Sequence, residues 1–200
     1  TRTLPAPPGV PGTPVPVVPS TADVSWSWTP GSDAVSYRVY RASQTSELVA
    51  SRAAPGFVVT GLGPNEPCGL VVRSVNPTDV SALSPPATAF TLAAVPTALA
   101  PTGVSSASIA LSWGSGGNPE DTVFELQGST DGAAYATVST TTATALLLFP
   151  LPPATTYSFR LRAYNDDAVA TGFSSIVTTG TRPAPPAVPA SRVSSDPGSP

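Results

Sequence analysis

The chain contains no lysine, no histidine and no methionine, and its only cysteine is Cys68. Each absence removes a class of chemistry. One thiol cannot build an internal disulfide framework or a CxxC redox pair. Without histidine there is no histidine-based triad, and the usual transition-metal ligand sets cannot be assembled. All nine basic residues are arginine, and the formal net charge is −3 with a pI near 4.7. No basic stripe is left for nucleic acid, so no nucleic-acid partner is expected. Charged residues make up only 10% of the chain, against roughly 25% in ordinary soluble domains.

Long apolar runs are missing too. The longest, ALLLFPLPP from Ala145, is broken by proline within six residues, far short of a membrane-spanning helix. Membrane insertion is not expected. The start TRTLPAPPGV has neither an initiator methionine nor a signal-peptide pattern, which suggests a processed chain or a fragment of a longer one. Serine, threonine, alanine, valine and proline dominate instead, a composition that favours strands and turns. It leans toward an exported, extracellular or cell-surface protein.

The chain is written twice. ADVSWSWTPGSDAVSYRVY (22 to 40) aligns with ASIALSWGSGGNPEDTVFELQ (107 to 127), and GLGPNEPCGLVVRSVN (61 to 76) with PLPPATTYSFRLRAYN (150 to 165). Trp28 and Trp113 are 85 residues apart, and Asn76 and Asn165 are 89 apart. PAPPGVP at 5 to 11 returns as PAPPAVP at 183 to 189, roughly two periods on, so the chain reads as cut from a longer array. The organisation expected is a proline-rich tail (1–12), a first domain (13–94), a second domain (95–181) and a second proline-rich tail (182–200). Both tails read as extended, polyproline-like linkers. The joint TLAAVPTALAPT (91 to 102) is short and contains two prolines, which predicts a semi-rigid rod.

Within each copy the period is two. Val24, Trp26 and Trp28 alternate with polar residues, and Ile109, Leu111 and Trp113 repeat the pattern, so one face of each strand is buried. Tyr37 and Val39, matched by Phe124 and Leu126, form the inward side of a second strand. Cys68, Leu70 and Val72, matched by Tyr157, Phe159 and Leu161, form that of a third, with Arg73, Arg160 and Arg162 facing out. Turn clusters at PGSD, GLGPNEP, GSGGNPED and STDG punctuate these strands. Many short alternating strands imply an all-β fold of antiparallel sandwiches. The first strand of copy one, PPGVPGTPVPVVP, loses a ladder donor at each proline and is expected to be a bulged or edge strand.

These landmarks resemble tandem fibronectin type III domains. Copy two carries Trp113, Phe124, the corner Leu151-Pro152-Pro153-Ala154-Thr155-Thr156-Tyr157, then Ala163-Tyr164-Asn165 and Phe173-Ser174-Ser175. Copy one carries Trp28, Tyr37, Leu62-Gly63-Pro64-Asn65-Glu66-Pro67-Cys68, Ser74-Val75-Asn76 and Leu83-Ser84-Pro85. The resemblance covers about 175 of the 200 residues. It implies two immunoglobulin-like sandwiches and, of itself, no particular function, because the fold hosts many. Phe124 stands where the family has a tyrosine, and no Arg-Gly-Asp is present. In the family the corner tyrosine returns its hydroxyl to the backbone. Cys68 in that place implies a loss of roughly 1–3 kcal/mol for copy one, and the thiol reads as small and buried.

No catalytic residues, metal ligands or cofactor are expected. Glu120-Asp121 and Asp166-Asp167 fall in turns at one end of the second sandwich, where they would share a calcium ion or stand as solvated turn residues; no DxDxDG spacing favours calcium. The outward row Tyr40, Val71, Val75 and Tyr164 is the expected contact surface for a neighbouring subunit or a ligand. The function expected is a non-catalytic extracellular structural protein, either a rod-like spacer or a subunit of a surface layer or filament. Such a protein would self-associate through its tails or edge strands. The alternative is an adhesin or accessory module of a larger secreted protein, touching carbohydrate or another surface protein.

Overall fold

The computed structural model describes residues 6–187, and every regular element among them is a strand. Residues of the first copy form β1 (Val15–Pro19), β2 (Val24–Ser27), β3 (Ser36–Arg41), β4 (Gln44–Arg52), β5 (Gly56–Val59), β6 (Pro67–Val75) and β7 (Ala87–Phe90). The second copy forms β8 (Thr97–Val104), β9 (Ile109–Gly114), β10 (Val123–Ser129), β11 (Ala136–Thr141), β12 (Ala145–Leu148), β13 (Thr156–Tyr164) and β14 (Val177–Gly180). Both build the same antiparallel sandwich. A three-stranded sheet (β1-β2-β5 or β8-β9-β12) faces a four-stranded one (β4-β3-β6-β7 or β11-β10-β13-β14).

The alternation sets the cores. Val24, Trp26 and Trp28 are buried against Tyr37, Val39, Cys68, Leu70 and Val72 in domain 1. Ile109, Leu111 and Trp113 meet Phe124, Leu126, Phe159 and Leu161 in domain 2. Trp28 and Tyr37 meet edge to face at 5.5 Å, and Trp113 and Phe124 do so at 6.2 Å. Phe124 therefore keeps the aromatic contact, and only the hydroxyl is gone.

Proline shapes the edges as expected. The first strand lies at a sheet edge, with a bulge between Pro16 and Val18. Where the last strand of each domain is interrupted, hydroxyls take over the ladder. Val72 and Ser74 donate their amides to Ser84 Oγ and Ser81 Oγ, and Leu161 and Ala163 donate theirs to Ser174 Oγ and Thr171 Oγ1. The serine and threonine hydroxyls thus satisfy backbone amides of β6 and β13 beyond the reach of β7 and β14.

Residues 8–12, expected within the proline-rich tail, are attached to domain 1. Gly9 and Gly12 donate to the carbonyls of Ser32 and Thr29, and Pro8 and Pro11 are buried. Gly31 is required there: a Cβ on it would lie 1.9 Å from the Gly9 carbonyl oxygen. In the second tail Arg182 donates its amide to the Ser105 carbonyl and accepts from the Ala154 amide; residues 1–5 and 188–200 of the two tails lie outside the described residues.

Candidate functional site

Of the two acidic turns that the sequence singles out, one, Asp166-Asp167, is engaged at the joint between the domains. Asn65 sits at the corner before β6 in the left-handed region, with φ 52°, and is 3% exposed. Asparagine tolerates that conformation better than most residues. Its amide reaches across to domain 2, where Nδ2 donates to Thr122 Oγ1 at 3.0 Å and Asp166 Oδ1 at 3.3 Å. The Asp166 N–H returns a bond to Asn65 Oδ1 at 2.8 Å. Next to it, Asp167 Oδ2 accepts from the amide of Phe90 at the end of β7, also at 2.8 Å. Asn165 adds a bond from Nδ2 to the Thr91 carbonyl at 3.1 Å, and Asn118 brackets Ala94 by accepting its N–H and donating to its carbonyl.

The acidic pairs therefore divide. Asp166 and Asp167 clamp domain 1, whereas Glu120 and Asp121 remain exposed. Among the described residues no three His, Cys, Asp or Glu side chains converge to hold a metal ion. Sequence reasoning missed Asn65 altogether. Its signal was a difference between the copies: the corner is Asn65 in one and Ala154 in the other, both at positive φ.

The expected outward row does not form a continuous exposed surface. Tyr40 is 8% and Val71 3% exposed; Tyr40 stands between Val71 and Leu48 in the sheet register, with irregularities in its pairing to β4 on either side. Val75 and Tyr164 are half-buried. Alternation reports which way a side chain points, not what lies beside it.

Tyr164 belongs instead to a polar network on the outer face of domain 2. Glu125, in β10, is 6% exposed and stands opposite Arg162 of β13 in the sheet register. Its Oε2 accepts from Arg162 Nε and from the Tyr164 hydroxyl, each at 2.6 Å, and its Oε1 from Gln127 Nε2 at 2.9 Å and the Thr137 hydroxyl. Burial alone would raise the carboxyl's pKa. The bonds from Thr137, Tyr164, Gln127 and Arg162 overcome it and hold the group at about 2. The same contact pushes the Tyr164 hydroxyl upward from its ordinary value. Arg160 completes the face, 4.2 Å from the Tyr135 ring centroid and 3.9 Å from that of Phe173.

Beside this network, an open groove of about 860 Å³ spans the joint. Phe90 lines it from domain 1, and Val123, Tyr164, Thr137, Thr140 and Asp166 from domain 2.

The lone thiol is fully buried in the domain 1 core, and burial pushes its pKa up. Its counterpart Tyr157 behaves otherwise than the family corner implies. Among the described residues its hydroxyl makes no hydrogen bond; the ring stacks on Phe159 at 5.9 Å and lines an open cleft of about 300 Å³. Cys68 thus fills its corner, and the hydrogen bond it was expected to forgo is not made in domain 2 either.

A family model and one two-domain solved structure agree with this architecture. A family model described as a PBP1-like, fibronectin3-like domain matches residues 104–172. The chain is 35% identical over 180 residues to endoglucanase B of Cellulomonas fimi, a match covering 81% of this chain and 17% of that protein. Among solved structures, a two-domain fibronectin type III segment of chicken tenascin superposes with a TM-score of 0.52 at 15% identity, covering 86% of this chain and 98% of that one. The first three fibronectin domains of chicken CNTN1 align with 91% of this chain and 70% of that one, at 20% identity and a TM-score of 0.40.

Proposed function

Because the chain is a tandem pair of fibronectin type III domains, we propose that it is a non-catalytic module of a larger extracellular protein, a spacer whose two domains are locked into one unit. The observation that carries this reading is the clamp of Asn65, Asp166, Asp167 and Phe90. A flexible linker would need no buried side chain reaching between domains. Here Asn65 is 3% exposed and makes three bonds across the joint, each worth about 1 kcal/mol net. The match to 17% of an endoglucanase supports a place beside other domains, and with it an extracellular setting.

A head-to-tail filament finds less support. The clamp is not repeated at the outer ends of the two domains: Ala154 occupies the Asn65 position in domain 2, and Pro77, without an N–H, follows Asn76 where Asp166 follows Asn165. A second copy of the chain would meet neither half of the lock.

Small-angle scattering tests the spacer. Wild-type protein is expected to give the profile of one extended rigid particle, and Asn65→Ala a broader distribution of inter-domain distances. Identical profiles for the two proteins would remove the clamp as the source of rigidity.

A further inference from the structure

The groove at the joint is lined by Phe90 of domain 1 and otherwise by residues of domain 2, so the lock sets where Phe90 stands against the rest. We propose that this groove binds a neutral oligosaccharide chain. The proposal rests on the locked joint and names a ligand for it.

Phe90 of domain 1 and Tyr164 of domain 2 are both half-buried and both line the groove. Aromatic faces carry negative charge density, which the C–H faces of a sugar ring match. Arg162 lies 5.1 Å from the Tyr164 ring centroid on one face; the lining also includes Val123, which is 37% exposed, and the hydroxyl-bearing Thr137 and Thr140. Asp166 lines the rim with one oxygen occupied by Asn65. The volume of about 860 Å³ lies in the range of small-molecule sites, which combine apolar walls with a few polar groups.

Charge and position narrow the ligand. Glu125 and Asp166 both line the groove, and the nearby cation Arg162 is paired to Glu125 at 2.6 Å. Anionic ligands such as phosphates or polyuronates would meet carboxylates and no free cation. A peptide held by strand addition needs an open sheet edge; Val123, Glu125 and Tyr164 lie on the central strands β10 and β13, while Thr137 and Thr140 lie on the edge strand β11 and Phe90 on the edge strand β7, so a peptide is the competing occupant that the test includes. A neutral, ring-shaped, hydroxyl-rich chain meets every requirement.

The test is amide NMR titration of the whole chain with cellohexaose, xylohexaose, an anionic hexagalacturonate and a proline-rich decapeptide. Expected are shifts at Phe90, Val123, Thr140 and Asp166 with one of the two neutral sugars and none with the other two probes. Phe90→Ala should weaken binding about 10-fold, the value of one aromatic contact. Val123→Asp, which alters only an exposed side chain, should weaken it comparably. Tyr164→Phe, which keeps the ring, should leave it within about 2-fold.

Shifts that map away from these residues, no response to either neutral sugar, or equal response to the uronate or the peptide would each overturn the proposal. Scattering separates the two readings. A wild-type chain that is rigid but binds no sugar ends the groove and spares the spacer. A chain that binds the sugar equally well after Asn65→Ala breaks the link between them.

Discussion

Replacing Glu125 by glutamine tests whether the outer-face network of domain 2 is held by charge. The variant keeps side-chain length and removes the anion that accepts from Arg162, Tyr164, Gln127 and Thr137. A carboxyl held at about 2, against its ordinary 4.5, corresponds to about 3 kcal/mol of folding stability. Arg162 keeps 27% of its side chain in solvent and remains near the Tyr164 and Phe173 rings. A loss of about 2–3 kcal/mol is therefore the working figure. Because the folded-state pKa is depressed, the contribution is complete above 4.5 and disappears as pH falls toward 2. About half should be gone near pH 3.

Urea titrations of wild type and Glu125→Gln, read at the indole resonance of Trp113 in domain 2, measure the difference directly, while Trp26 and Trp28 report on domain 1. The gap should be largest at neutral pH and narrow on acidification. A gap that stays constant from neutral pH to about pH 3, or one below about 0.5 kcal/mol throughout, would refute the electrostatic reasoning and leave packing as the explanation.

Two further outcomes follow from the domain 1 core and its attached N-terminal segment. Cys68 is fully buried and its thiol pKa is raised by burial, so a thiol reagent should label it slowly in the native protein and quickly in denaturant; fast native labelling would contradict the packing described. Gly31→Ala drives a methyl group to within 1.9 Å of the Gly9 carbonyl, so it should release residues 8–12 at a cost of about 1–3 kcal/mol. Hydrogen exchange at the Gly9 amide, bonded to Ser32, should accelerate strongly, and unchanged protection would show that the segment is held elsewhere.

Much of the architecture was legible because its cause is local and occurs twice. Alternation placed Val24, Trp26, Trp28 and their counterparts inward, and prolines announced the bulged edge at β1. What could not be read depends on register and neighbours. Glu125 is one acidic letter in FELQ until the ladder sets it opposite Arg162, with Gln127 opposite Arg160. Tyr40 and Val71 were expected on an exposed row, yet they are 8% and 3% exposed. The hydroxyl of Tyr157 was assigned a partner from family resemblance, and the geometry supplies none.

The joint lies between these cases. Two copies of one fold share their cores because the same inward positions must be apolar in both, so similarity between copies reports stability. Positions where they differ are free of that demand. Asn65 against Ala154, and Asp166-Asp167 against Pro77-Thr78, differ at places where the backbone is alike: both corners hold positive φ, and both turns follow an asparagine whose side chain binds the preceding segment, Asn165 to Thr91 and Asn76 to Ala6. The backbone scaffold of a joint is thus present at the head of each domain, while the side chains that lock it occur once. Rigidity in this chain is a property of that one pairing rather than of the repeat, and exchanging Asn65 with Ala154 should remove it without disturbing either core.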